Sequence, residues 1–176
     1  MDKITERIMD SDKWPSIQVP ENLELLNEIA DNSFFTGTFE GELAATLMYH
    51  QIIEAMCVHI LEDCHFQIQL AVYPSEIEFE TPKDKMLGFY IKELKSTISF
   101  LKKKEFIEKI EQLNSYRINA VHKMRRSNLE QISQELQKVK QCFDDIYQLY
   151  DEIQDDFRII FHCYKKDVFI DYLDEE

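Results

Sequence analysis
The chain has 176 residues, with 34 acidic and 20 basic side chains and a formal net charge of −14. A chain of this length fits one domain and buries roughly 70% of its unfolded surface, so it needs neither disulfides nor a structural metal to hold together. The acidic excess argues against a surface that grips polyanions everywhere, but the charge is unevenly placed. Residues 1–82 carry 16 acids and 3 bases, residues 83–126 carry 5 acids and 12 bases, residues 127–143 balance, and residues 144–176 carry 11 acids and 3 bases. The segment 83–126 is therefore the one basic stretch.

Three glycines and four prolines are few, and every proline precedes residue 83, so long uninterrupted helices are expected in the second half. Charges interrupt the long apolar runs, and the opening Met1-Asp2-Lys3-Ile4-Thr5-Glu6 has no signal-peptide core. These features point to a soluble, cytoplasmic protein without a membrane span. The cysteines are Cys57, Cys64, Cys142 and Cys163, none in a Cys-x-x-Cys pair. Reduced, buried core thiols are the expectation.

In chain order, residues 1–20 read as an irregular lead-in ended by Trp14-Pro15 and Val19-Pro20. Leu23, Leu26 and Ile29 suggest a short helix from Glu21 to Asp31, followed by a loop from Asn32 to Thr38. A long helix is predicted from Glu40 to Val72, because Cys57, Leu61, Cys64, Ile68 and Ala71 step by four and three. Phe66 to Leu70 also alternates with period two, which leaves a strand as the rival reading there. Pro74 stops the helix at Tyr73.

Residues 75–80 read as extended or loop. Thr81-Pro82-Lys83-Asp84 has the cap, proline and acid of a helix start. Leu87, Ile91, Leu94, Ile98 and Leu101 then mark a helix ended by Lys102-Lys103-Lys104, whose charges suit a helix C-terminus. A shorter helix carries Phe106, Ile110 and Leu113. Ser127-Asn128 offers a cap for the last helix, whose stripe runs through Leu129, Ile132, Leu136, Val139, Phe143, Ile146, Tyr150, Ile153, Phe157, Ile160 and Tyr164. So long a seam must pack on something, either within the chain or on a second subunit. Asp171 to Glu176 reads as a frayed acidic tail. The organisation expected is a lead-in with a short helix over 1–39, a helical bundle over 40–165 and a tail over 166–176.

Chemistry concentrates in Leu113-Asn114-Ser115-Tyr116-Arg117-Ile118-Asn119-Ala120-Val121-His122-Lys123-Met124, inside the basic segment. Arg117 offers a permanent charge suited to phosphate, and His122 supplies an imidazole, the side chain suited to moving protons. The pair could instead be structural, with Arg117 bonded to Glu111 or Glu54 and His122 packed at a helix end. Five residues on a regular helix turn about 140° beyond a full revolution, so the two share no face unless Arg117 bends round or the pair meets across a dimer. Tyr116 could stack on a base. His59 with Asp63 and His50 with Glu54 are four apart, a spacing that permits metal ligation but is commoner as an ordinary helix-surface pair. His65 beside Cys64 and His162 beside Cys163 lack a third ligand at short spacing. No glycine-rich phosphate loop and no Gly-x-Ser-x-Gly element is present, and neither a metal nor a cofactor is expected.

The stretch Met86 to Leu94, followed by Leu113 to Met124 with its Arg-x4-His spacing, resembles the HEPN superfamily (higher eukaryotes and prokaryotes nucleotide-binding) over about residues 40–165. The resemblance implies an all-α, up-and-down bundle of about five helices that forms a homodimer with two motifs facing one another. It implies metal-independent RNA cleavage, as in toxin or phage-defence systems, with Arg117 on the scissile phosphate and His122 as general acid or base. Asn119, Tyr116 and Lys123 would be substrate contacts, and an antitoxin or other protein could be a further partner. Catalytic members often carry asparagine directly after the arginine; here Ile118 stands there and Asn119 follows. A non-catalytic HEPN-like interaction or nucleotide-binding module is the alternative.

Overall fold
The computed structural model describes residues 3–80, 84–124 and 127–173, with side chains from Ile4 to Tyr164. Among them the chain is an all-α helical bundle with no strand. Its helices are α1 (Lys3–Met9), α2 (Leu23–Phe34), α3 (Phe39–Val72), α4 (Leu87–Ser96), α5 (Lys103–Lys123) and α6 (Leu129–Leu173).

The chain divides into two compact units, and α3 and α6 contribute residues to both. One unit comprises the described parts of Met1–Val19, Cys57–Leu101 and Asp151–Glu176. Its core includes Ile8, Trp14, Ile60, Phe66, Leu87, Tyr90, Leu94, Phe157 and Phe161. The lead-in expected to be irregular is largely helical: α1 buries Ile8, and a single 3-10 turn (Ser11–Lys13) delivers Trp14 into the core. The Trp14 indole N–H donates to the Arg7 carbonyl at 3.1 Å, and its ring packs edge-on against Phe161. Seven residues are too few to display a helical period, which is why the sequence did not announce α1.

The other unit comprises Pro20–Met56 and, among described residues, Lys102–Tyr150. Leu23, Ala30 and Phe34 of α2, Tyr49, Ile52, Ile53 and Met56 of α3, Phe106, Ile110 and Leu113 of α5, and Leu136, Val139, Phe143 and Ile146 of α6 fill its core. Asn22 and Gly37, both at positive φ, bracket α2, which runs from Leu23 to Phe34 rather than from Glu21 to Asp31. The buried Glu42 carboxylate accepts from Ser133 Oγ at 2.6 Å and Gln137 Nε2 at 2.8 Å, tying the start of α3 to α6.

Several boundaries differ from expectation. Phe66 to Leu70, by contrast, is helix as expected, inside α3, and not the rival strand. The start signal at Thr81 to Lys83 lies outside the described residues; Asp84 is a bend, and α4 begins at Leu87. The helix expected to reach Leu101 stops at Ser96. There the Ser96 hydroxyl bonds the Lys92 and Glu93 carbonyls, competing with helix continuation, and Thr97 turns extended. The α6 helix continues through Leu173, beyond the start expected for a frayed tail, because no proline or glycine interrupts it. Its expected seam is buried from Ile132 to Phe157 while Leu129 is exposed; Ile160 and Tyr164 are half-buried, and Phe161 takes the buried place expected of Ile160.

By length and composition α3 is long and apolar enough to cross a membrane, alone among the described helices, which corrects the expectation that charges break every such run. Uncharged His and Gln let it pass that test. In this fold its apolar residues Tyr49, Ile52, Ile53, Met56 and Ile60 are fully buried in protein, as in a core helix. Cys57, Cys64 and Cys142 are buried thiols, whereas Cys163, expected in the core, is exposed: it lies two positions past the Phe161 that ends the buried seam.

Candidate functional site
The residues singled out by the sequence all lie on α5, in the last two turns of a helix that begins at Lys103. Ala120 closes this end against Ile132 and Leu136 of α6, with Phe39 and Met124 packed alongside. Because α5 is continuous from Tyr116 through Lys123, the angular positions follow from 100° per residue.

Arg117 is on the side of α5 that carries Ile110, Leu113 and Ala120, and is accordingly half-buried. One Nη donates to Asn114 Oδ1 at 3.2 Å, and the buried Nε has no partner. Neither Glu111 nor Glu54 pairs with it, and among the described residues no carboxylate does. Its titratable neighbour is His50 of α3, which is 9% exposed. Burial, and then the Arg117 charge, push the His50 imidazole down to about 4, so it is neutral at pH 7. His50 Nδ1 stands 3.8 Å from Glu54 Oε1, one turn along α3. The sequence had marked His50 only as a metal candidate; nothing in its spacing announces a neighbour on α5.

His122 is exposed and has no hydrogen-bond or ion-pair partner among the described residues. It lies about 140° round α5 from Arg117, so a single chain does not bring the two together. Between the two lie exposed apolar residues: Ile118, about 40° from His122, and Val121, about 40° from Arg117, at 40% and 52% exposure.

Tyr116, Asn119 and Lys123 share a third face. The Tyr116 hydroxyl accepts from Gln112 Nε2 at 2.8 Å, and Lys138 of α6 stands 5.8 Å from its ring centroid. Asn119 is exposed. Lys123 is ion-paired to Glu135 at 2.9 Å, and the same carboxylate takes Lys138 at 3.0 Å. Those two lysines, Lys123 first, hold the Glu135 carboxyl below its ordinary range.

The remaining candidates are occupied structurally. His59 Nε2 meets the Pro15 carbonyl, and Asp63 takes a hydrogen bond from Gln154 Nε2 at 2.8 Å. His65 stacks on Phe79, and His162 packs on Trp14. Among the described residues no group of three or more His, Cys, Asp or Glu side chains could hold a metal ion. No protein-family model, curated protein or solved structure matches this chain.

Proposed function
We propose that this chain is a cytoplasmic, metal-independent endoribonuclease of the HEPN type, acting on RNA as a homodimer. The observation that carries the reading is Arg117: a half-buried permanent cation, in a protein of net charge −14, with no carboxylate partner among the described residues and a buried Nε left unbonded. Burying a cation without a counter-charge is costly, and a phosphodiester oxygen would relieve that cost. The neutral His50 beside it adds no competing cation.

The chemistry assigned to the pair is transesterification. A base removes the proton of the ribose 2′-hydroxyl as its oxygen bonds to phosphorus. The bond from phosphorus to the 5′-oxygen breaks, and an acid protonates the leaving oxygen. The products are a 2′,3′-cyclic phosphate and a free 5′-hydroxyl. Arg117 of one protomer stabilises the extra negative charge on the phosphorane, and the other protomer's His122 serves as base toward the 2′-hydroxyl and, once protonated, as acid toward the leaving oxygen. The exposed Ile118 and Val121, which lie between Arg117 and His122 round α5, suit a contact with a second copy. Such a toxin- or defence-like enzyme would be held in check by an antitoxin or other protein partner.

The test is RNA cleavage in EDTA by wild type, Arg117→Ala and His122→Ala. Wild type yields cyclic-phosphate ends, and each variant loses about 10²-fold or more. A wild-type chain inert on varied RNAs overturns the reading. The second reading, a non-catalytic interaction module, is favoured by the angular separation of Arg117 and His122 within one chain. It predicts a stable protein complex that Arg117→Ala leaves intact.

A further inference from the structure
A cleft of about 200 Å³ opens on the face of α5 next to α6, within the same unit as Arg117. Tyr116, Gln112 and Lys109 line it from α5, and Lys138 and Gln141 from α6. Each group is held in place. Gln112 anchors the Tyr116 hydroxyl at 2.8 Å, Lys109 is fixed to Asp145 at 2.7 Å, and Lys138 is steered by Glu135 over the Tyr116 ring. Cys142 and the Asp145 carboxylate complete the lining; the thiol donates to the Lys109 carbonyl at 3.3 Å, and burial pushes it up to about 11, so it is an inert wall rather than a nucleophile.

We propose that this cleft is a nucleotide subsite that holds one base of single-stranded RNA against Tyr116. The tyrosine ring supplies a stacking face once the Lys138 ammonium swings off it, the Gln112 and Gln141 amides can each donate to and accept from a base edge, and the two lysines, each now shared with a carboxylate, can turn to the adjoining phosphates. The position fits a strand that continues toward the motif. Lys109, Gln112, Tyr116, Asn119 and Lys123 fall on one face of α5, over a rise of about 21 Å from Lys109 to Lys123. Tyr116 precedes Arg117 but sits about 100° from it round α5, so a strand seated here must pass round the helix to reach the phosphate assigned to the guanidinium. Stacking tolerates any base, whereas the paired glutamines give the subsite means to prefer one.

The inference takes its ligand class from the ribonuclease reading, and the experiment separates the two. Adenosine and uridine 5′-monophosphates are titrated into the full chain, with NMR read at the Gln112 and Gln141 side-chain amides and at Tyr116; inorganic phosphate is the control. A uridine octamer is then bound to His122→Ala, with and without Tyr116→Ala, Tyr116→Phe or Lys138→Ala, with circular dichroism as the check on folding. The expected result is that nucleotides move the glutamine and tyrosine signals and phosphate alone does not. Tyr116→Ala weakens the octamer about tenfold, while Tyr116→Phe, which keeps the ring, stays within about twofold. Signals that respond equally to phosphate, or an octamer indifferent to Tyr116→Ala in a folded protein, overturn the subsite. A chain that cleaves RNA but shows that indifference loses the subsite alone. A chain that binds nucleotides in the cleft but never cleaves RNA loses the ribonuclease reading alone.

Discussion

Asp63 and His50 are both buried, and their protons respond to that burial in opposite directions. Asp63 is fully buried; its Oδ2 takes the Gln154 amide, and its Oδ1 has no partner. Burial, with a smaller push from Glu62, raises its carboxyl from 3.8 to about 8, so at neutral pH the acid is protonated in the fold and ionised in the unfolded chain. Stability from this group is fully present below about pH 3.8 and is lost as the pH rises through about 8. For His50 the shift is downward, from 6.5 to about 4, so its contribution is present above about pH 6.5 and is lost as the pH falls through 4. Asp63→Asn keeps the shape and the bond to Gln154 and removes the proton. Thermal melts should show wild type losing stability from about pH 5 to pH 8 while the variant changes less, the gap at pH 8 exceeding about 1 kcal/mol, or several degrees. Parallel profiles would place an ionised Asp63 in the folded state.

The helices that could be read from sequence are those long enough to repeat. The stripes of α3 and α6 recur over many turns, and both helices lie where the spacing put them. The N-cap of α6 was legible too: Asn128 Oδ1 accepts the Gln131 backbone N–H at 2.9 Å, satisfying a donor that the helix cannot. Asn128→Ala should therefore cost about 1 kcal/mol in urea melts, and Asn128→Asp or Asn128→Ser should restore most of it. A loss confined to Asn128→Gly, with Asn128→Ala neutral, would show that the side-chain bond contributes nothing. What the sequence hid is short or set by tertiary contact. The α1 helix is about two turns held by Trp14, and the stop at Ser96 depends on a hydroxyl bonding back to its own helix. The site was half-legible for the same reason. Spacing found Arg117 and His122 and warned of their angular separation. His50, far from Arg117 in sequence, joins it only through helix packing, and the Tyr116 cleft needs α6 to close it.

At the scale of the whole molecule, a net charge of −14 repels RNA in general, so any productive contact must be local, and the segment around α5 is where positive charge collects. Arg117 and His122 lie on different faces of that helix, which makes the ribonuclease reading a statement about two copies rather than one. A two-fold dimer through the Ile118 and Val121 face, which Arg117 and His122 flank on either side, would bring each protomer's Arg117 toward its partner's His122. Mixing Arg117→Ala with His122→Ala tests this directly. Half of the reassociated dimers are mixed, and each mixed dimer retains one intact Arg–His combination. Activity should therefore return from near zero to about a quarter of wild type if one arginine and one histidine suffice at each of two independent sites. Adding Val121→Glu to both partners should abolish the recovery, because a charge placed on the apolar face opposes association. If the mixture stays inactive while ultracentrifugation shows mixed dimers, then one protomer's arginine and the other's histidine do not cooperate, and catalysis assigned to this pair fails.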